Sequence, residues 1–259
     1  MPDEGRVHLA RDGYVATVTF DRQHARNALT WAMYDQFHDH LEKVDNDADV
    51  RVVVLRGAGE DAFVAGTDIR QFQAFGGGED GIAYNRRMDR VLARLEAVSA
   101  PTIAVGVGYV VGGGLAIAST CDLRICSEGS RFGIPVARTL GNLPTMSNLT
   151  RLAVLVGPAR LKEMLLTARL WNADEALAAG LVHEVHPREA LDARVEELCE
   201  ILGHRAPITI RTVKEAMRRI VDGLVPDGDD LTREVYGSAD FREGMTAFVE
   251  KREPQWRNE

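Results

Sequence analysis

Cysteine is scarce: Cys121, Cys126 and Cys199 are the only three in 259 residues, and none forms a C-x-x-C pair. A disulfide-stapled fold is excluded, and so few thiols suit a reducing compartment, read here as the cytoplasm. Positive charge is in deficit as well, with 31 Lys and Arg against 39 Asp and Glu and a net charge of −8. That balance argues against a surface built to cover nucleic-acid phosphates, so no nucleic-acid partner is expected. The opening MPDEGRVHLA holds acidic residues and no apolar run, so no export or organelle signal is read there. Uninterrupted apolar helices are missing too. Residues 97–121 carry no charge and are long enough to suggest a membrane span. Pro101, Gly106, Gly108 and Gly112 to Gly114 divide that stretch into a β-rich piece, a turn and a small-residue helix, so a buried βα unit is expected and no membrane partner.

What is present is ordinary globular material, 45% hydrophobic and 27% charged, sufficient for one core with an appendage. Val7 to Ala10 and Tyr14 to Phe20 flank Asp12-Gly13, a hairpin signal because both residues reach positive φ readily. From Thr30, a predicted N-cap, the residues Trp31, Tyr34, Phe37, Leu41 and Val44 recur at helical spacing. Val52 to Leu55 reads as a strand, Met88 to Leu95 as a helix and Thr102 to Val107 as a strand. Leu115 to Ser119 reads as helix and Leu123 to Cys126 as strand. This alternation favours layered or spiralled parallel sheets. Beyond Pro144 helical patterns take over, interrupted by one strand signal at Val182 to His186. Three apolar stripes follow: Leu191, Val195, Leu198 and Leu202; then Ile210, Val213, Met217 and Ile220; then Phe241, Met245 and Phe248. Such faces serve either the chain's own core or another subunit.

Two glycine-rich turns carry the chemical signal. Phe63 to Ile69 (FVAGTDI) places Gly66 between a β-like approach and a short helix capped by Asp68; Gly106 and Gly108 followed by Gly112 to Gly114 precede another helix. Glycine permits close backbone approach, and two turns presenting N–H groups to one oxygen form an oxyanion hole. Taken singly, each turn reads first as ordinary βα punctuation, and it is the pair that carries the functional reading. Competing motifs fail on spacing. Gly108 and Gly112 enclose three residues where a dinucleotide fingerprint has two, and the sequence contains no G-x-x-x-x-G-K-[ST], G-x-S-x-G or H-E-x-x-H. His183 and His186, three apart in a predicted strand, face opposite sides and do not chelate one metal.

These residues resemble the enoyl-CoA hydratase/isomerase (crotonase) superfamily over nearly the whole chain. The resemblance rests on Arg26-Asn27-Ala28-Leu29, on Phe63 to Ile69, on Gly108 to Asp122, on Leu166-Thr167 with Ala179 to Val182, and on Glu243-Gly244-Met245 through Pro254. It implies an α/β fold, a crotonase-like spiral of ββα units over about residues 1–200. A helical region over 201–259 would then trimerise, as a homotrimer or a dimer of trimers. It also implies an acyl-CoA thioester partner, with coenzyme A arriving as part of the substrate and no metal or separate cofactor. By resemblance, the N–H groups of Thr67 and Gly113 hold the thioester oxygen. Ala65, Gly66, Asp68 and Ile69 receive the adenine end of CoA, Arg26 and Ala28 lie along its chain, and Lys251 approaches a CoA phosphate.

The same resemblance exposes two departures. Hydratases of this superfamily use a pair of glutamates, one activating water while a proton reaches the neighbouring carbon. Ala116 stands where the first is expected and Val136, after Phe132-Gly133-Ile134-Pro135, where the second is. Neither side chain moves a proton, so hydration by that mechanism is not expected. Isomerisation, decarboxylation and thioester hydrolysis stay open, as does a non-catalytic paralogue that binds acyl-CoA or joins an assembly. Asp68 and Asp122 read as structural. Arg138, Thr139, Asn142 and Ser147 read either as ordinary loop polarity or as candidates to bind a polar acyl group, and Glu79-Asp80, in a glycine-rich segment, reads either as a cover for the acyl pocket or as a plain mobile loop.

Overall fold

A computed structural model describes residues 4–257; Met1 to Asp3 and the last two residues, including parts of the segments read above as the N-terminal start and the C-terminal helical region, lie outside it. The chain opens with β1 (Arg6–Asp12) and β2 (Val15–Asp21), an antiparallel hairpin. Asp12 pairs with Val15, so the two-residue turn is Gly13-Tyr14, one position later than the dipeptide signal suggests. The first helix, α1 (Trp31–Asp45), is N-capped by Thr30, whose hydroxyl accepts from Met33 N at 3.2 Å. It buries Tyr34, Phe37, Leu41 and Val44 of the predicted apolar face together with Met33, whereas Trp31, expected on that face, is only half-buried.

Three ββα turns follow: β3 (Val52–Gly57), β4 (Ala62–Val64) and α2 (Gly78–Glu96); β5 (Thr102–Gly106), β6 (Tyr109–Val111) and α3 (Gly113–Thr120); β7 (Leu123–Ser127), β8 (Arg131–Gly133) and α4 (Met146–Val156). The remainder runs α5 (Pro158–Thr167), β9 (Trp171–Asn172), α6 (Ala173–Ala178), β10 (Glu184–His186), α7 (Arg188–Gly203), α8 (Pro207–Asp222), α9 (Asp229–Gly237) and α10 (Ala239–Glu250). The first strand of each turn joins a six-stranded sheet ordered β1-β2-β3-β5-β7-β10, and the second joins a four-stranded sheet ordered β4-β6-β8-β9. Each ββα turn therefore crosses between two sheets before its helix returns the chain, which is the spiral expected from the sequence. The short strands β6, β8 and β9 are not expected from the sequence, and β5 ends at Gly106, one residue before the expected Val107. β9, two residues antiparallel to β8, is too short to show a period, and β10 begins at Glu184 because Val182 turns into the core.

The continuous apolar run of β3 is explained by burial on both faces. Val53 and Leu55 pack toward α1 and α2, whereas Val52 and Val54 face Leu191, Val195 and Leu198 of α7. The first C-terminal stripe thus belongs to the chain's own core. The second does not: α8 buries none of its residues, and Ile208, Val213, Met217 and Ile220 are exposed. Lys214 nevertheless ties α8 to the spiral through Asp122 and the Ala100 carbonyl, the latter at 2.9 Å. Asp122 also accepts from Thr102 N and Oγ1 at 2.7 and 2.9 Å, a structural role as read from sequence. Phe241 of the third stripe is buried with Phe72, Leu140 and Tyr236, so α9 folds back over α2 and α10 over the segment Ile69–Ala74 that precedes α2.

Glu79-Asp80 forms no covering loop. α2 already begins at Gly78; the Asp80 carboxylate accepts from Gly76 N at 2.6 Å, and Glu79 pairs with Arg233 of α9 at 2.6 Å. These acids stabilise the start of a helix and its contact with α9. No described helix is long and apolar enough to cross a membrane. All three cysteines are free and buried, and burial pushes the Cys121 and Cys126 thiols up to about 12.

Candidate active site

The first glycine-rich turn leaves β4 at Ala65. Three backbone hydrogen bonds stitch it to the preceding loop: Ala65 N to Arg26 O at 3.0 Å, Leu29 N to Gly66 O at 2.8 Å and Asp68 N to Leu29 O at 2.8 Å. Gly66 takes φ +109°, outside the range comfortable for a side chain, and because its carbonyl accepts from Leu29 N, the Thr67 N–H at the other end of the same peptide points away from this ladder. Asp68 then caps the short helical turn Ile69–Ala74. Its carboxylate accepts from Arg70 N at 3.1 Å and lies 2.9 Å from Arg22 Nη1. Burial opposes its charge, but hydrogen bonds from Arg70 and the Arg22 guanidinium outweigh it and hold the carboxyl below its usual range. The structural reading of Asp68 stands.

The second turn leaves β6 at Val111. Gly112, at φ +55°, donates to Gly133 O at 2.9 Å and aims the chain into α3, whose first residue is Gly113. The two turns meet: a Cβ placed on Gly113 would lie 3.6 Å from Thr67 N and 3.4 Å from Thr67 Oγ1. Among the described residues neither the Thr67 nor the Gly113 N–H donates to a protein acceptor. Gly113 N is one of the donors that every helix N-terminus leaves free.

Both turns open on a cavity of about 250 Å³. Ala65, Gly66, Thr67, Ile69, Gly113, Ala116 and Val136 all line it, so the structure gathers most of the residues singled out from sequence. Met88 and Leu92 of α2 supply apolar wall, and Asn85, Thr139, Asn142, Thr145 and Asn148 supply neutral polar groups. Among the described residues no carboxylate, histidine, lysine or arginine lines the cavity. Arg26, Ala28, Asp68 and Lys251 stand outside its wall. Arg26, on the loop stitched to the first turn, places its guanidinium 4.7 Å from the Tyr109 ring centroid, a cation–π contact. Lys251 is the exposed C-cap of α10, one turn beyond Phe248, which does reach the cavity. Of the polar residues proposed for an acyl group, Thr139 and Asn142 arrive there, while Arg138 and Ser147 do not. His183 accepts from Arg124 N at 3.1 Å and His186 contacts Glu184 at 2.7 Å, so the two serve separate packing contacts.

Sequence reading missed the tyrosines. The Tyr34 and Tyr84 hydroxyls lie 2.8 and 3.1 Å from Thr67 Oγ1, and both rings line the cavity. Tyr34 was legible only as one position of an apolar helix face; that its polar end reaches the turn at Thr67 depends on how α1 packs across the spiral. Burial pushes the Tyr84 hydroxyl up to about 12, and Tyr34 higher still, so both stay protonated throughout the neutral range.

The sequence profile of the Enoyl-CoA hydratase/isomerase family matches residues 10–259. The chain is 36% identical over 253 residues to a short-chain-enoyl-CoA hydratase of Clostridium acetobutylicum, covering 95% of both chains. Among solved structures it is similar to an enoyl-CoA hydratase/carnithine racemase of Magnetospirillum magneticum, with TM-score 0.80 and 34% identity over 98% of this chain and 96% of that one. It is also similar to a methylmalonyl-CoA decarboxylase in complex with 2-nitronate-propionyl-CoA, with TM-score 0.90 and 27% identity over 98% of each.

Proposed function

The chain belongs to the enoyl-CoA hydratase/isomerase family, and from that premise we propose that it binds an acyl-CoA thioester and polarises it without carboxylate chemistry. The thioester oxygen accepts from the N–H groups of Thr67 and Gly113, which stabilise the negative charge as an enolate forms. One observation carries this reading: two free, facing amides border a cavity whose described lining has no titratable acid or base beyond the protonated tyrosines. Ala116 and Val136 occupy that lining, so two-glutamate hydration has no groups to work with there.

Decarboxylation of a 2-carboxyacyl-CoA suits such a site best. Cleavage of the bond from Cα to the carboxylate releases CO₂ and leaves the electron pair as a thioester enolate, so no protein base removes a proton. The enolate carbon then takes a proton from water, giving the shortened acyl-CoA. An uncharged cavity also strengthens each hydrogen bond to the developing oxyanion. The fold likeness to a methylmalonyl-CoA decarboxylase supports this class without naming the substrate. Family membership and the exposed stripe of α8 support assembly as a trimer or dimer of trimers.

Mass spectrometry of a panel of saturated, unsaturated and 2-carboxyacyl-CoAs, each incubated with the protein after calorimetric measurement of binding, tests this reading. The expected outcome is binding, with loss of CO₂ confined to 2-carboxyacyl thioesters. Binding with no conversion of any thioester favours the non-catalytic paralogue, and failure to bind any of them contradicts the site assignment.

A further inference from the structure

The hydroxyls of Tyr34, Thr67 and Tyr84 form a short chain, with Thr67 Oγ1 at its centre, 2.8 Å from one phenol and 3.1 Å from the other. Three hydroxyl hydrogens serve two contacts. Whichever way the groups turn, one hydrogen is left over, and among the described residues no further protein acceptor bonds any of the three oxygens. The chain also stands beside the two oxyanion amides. The point that a Cβ on Gly113 would occupy is 2.8 Å from Tyr34 Oη, 3.4 Å from Thr67 Oγ1 and 3.6 Å from Thr67 N. Tyr34 is 2% exposed, so the phenol nearest the Gly113 turn is shielded from bulk water, while Thr67 and Tyr84 are half-buried.

We propose that this hydroxyl chain is a third donor of the oxyanion site, delivering its surplus hydrogen to the thioester oxygen alongside the Thr67 and Gly113 amides. The inference rests on the thioester reading above and adds side-chain groups to a device otherwise made of backbone. The raised pKa values of Tyr34 and Tyr84 keep the chain a donor, never a base, at neutral pH. A preorganised donor in a buried position needs no reorientation as charge develops on the oxygen, which is how such groups lower a barrier. No proton changes owner in this role, so the chain acts through hydrogen bonding alone.

The test is the infrared carbonyl band of [1-¹³C]butyryl-CoA bound to the full chain, with calorimetric affinity measured on the same samples. In the wild type the band is expected below that of the free thioester. Tyr34→Phe, which keeps the ring, and Thr67→Val, which keeps the backbone amide, should each move the band part of the way back while the CoA portion still binds. Thr67→Ser should restore the wild-type position, an outcome that packing at Thr67 alone does not produce. A band unmoved in both Tyr34→Phe and Thr67→Val, with binding intact, overturns the third donor and leaves the amide site standing. Absence of wild-type binding, or binding with no lowering of the band, overturns the oxyanion reading itself and this inference with it.

Discussion

Ala116 lies three residues into α3 from Gly113, so a longer side chain there reaches the same part of the cavity as the oxyanion donors. Val136 reaches it from the segment after β8. The double variant Ala116→Glu/Val136→Glu should therefore add crotonyl-CoA hydration that the wild type lacks. About 10²-fold over the wild-type background is the expected gain, the low end for acid–base groups because burial raises the new carboxyls and upsets their ionisation. A rate equal to wild type in a folded variant removes the correspondence drawn for these two positions. Gly114 presents a different constraint, since a Cβ there would lie 2.0 Å from the Val64 carbonyl oxygen, a backbone atom. Gly114→Ala should cost about 3 kcal/mol in denaturant unfolding, the upper range for overpacking, and weaken acyl-CoA binding by separating α3 from β4. At this scale the backbone part of the site was readable in advance, because Gly66 and Gly112 to Gly114 advertise the turns. The Tyr34 and Tyr84 hydroxyls were not: Tyr34 sits in an apolar helical face that explains it fully, and Tyr84 precedes the stretch Met88 to Leu95 that reads as helix.

Elements hold this site through two kinds of contact. β10 is tied to α7 by Glu184, which accepts from Arg194 Nε and Nη2 at 2.7 and 2.8 Å. The Arg194 hydrogen bonds, opposed by partial burial and aided by His186, lower the Glu184 carboxyl from 4.5 to about 2. A depressed carboxyl contributes stability that is fully present above 4.5 and lost as pH falls toward 2. Glu184→Gln should thus cost about 1 kcal/mol at pH 7, after allowance for solvent screening, and nothing near pH 2. Thermal unfolding across that range checks the sign. On the other side of the spiral, Phe241 joins α10 to Phe72 and Tyr236 over the cavity. Phe241→Ala should cost about 3–5 kcal/mol and speed hydrogen exchange in α9 and α10 before α7. The long helices were legible because their periods run over several turns, as on the faces of α1 and α7, and β3 was legible as the unbroken apolar run Val52 to Leu55. The start of α2 was obscured by Gly76-Gly77-Gly78, since glycine runs read as loop whether or not acidic residues cap a helix there. β9 offered only two residues, too few for any period.

Across the whole molecule, the spiral follows from three repeats that each send one strand to either sheet, and the alternation of the first half foreshadowed it. How the C-terminal stripes divide between core and surface depended on packing: Leu191, Val195 and Leu198 cover the large sheet, whereas Met217 and Ile220 stay 53% and 60% exposed. Light scattering should give a trimer or hexamer for the wild type. Met217→Lys/Ile220→Lys should shift it toward monomer, and an unchanged assembly places the subunit contact elsewhere. The central claim, that this family member keeps the thioester site and has lost the hydratase pair, is tested most directly by following crotonyl-CoA through the ultraviolet absorbance of its conjugated thioester. With the purified wild type at a concentration that saturates binding, the absorbance should stay constant. A rapid fall on addition of the wild-type protein, as water adds across the double bond, contradicts the claim.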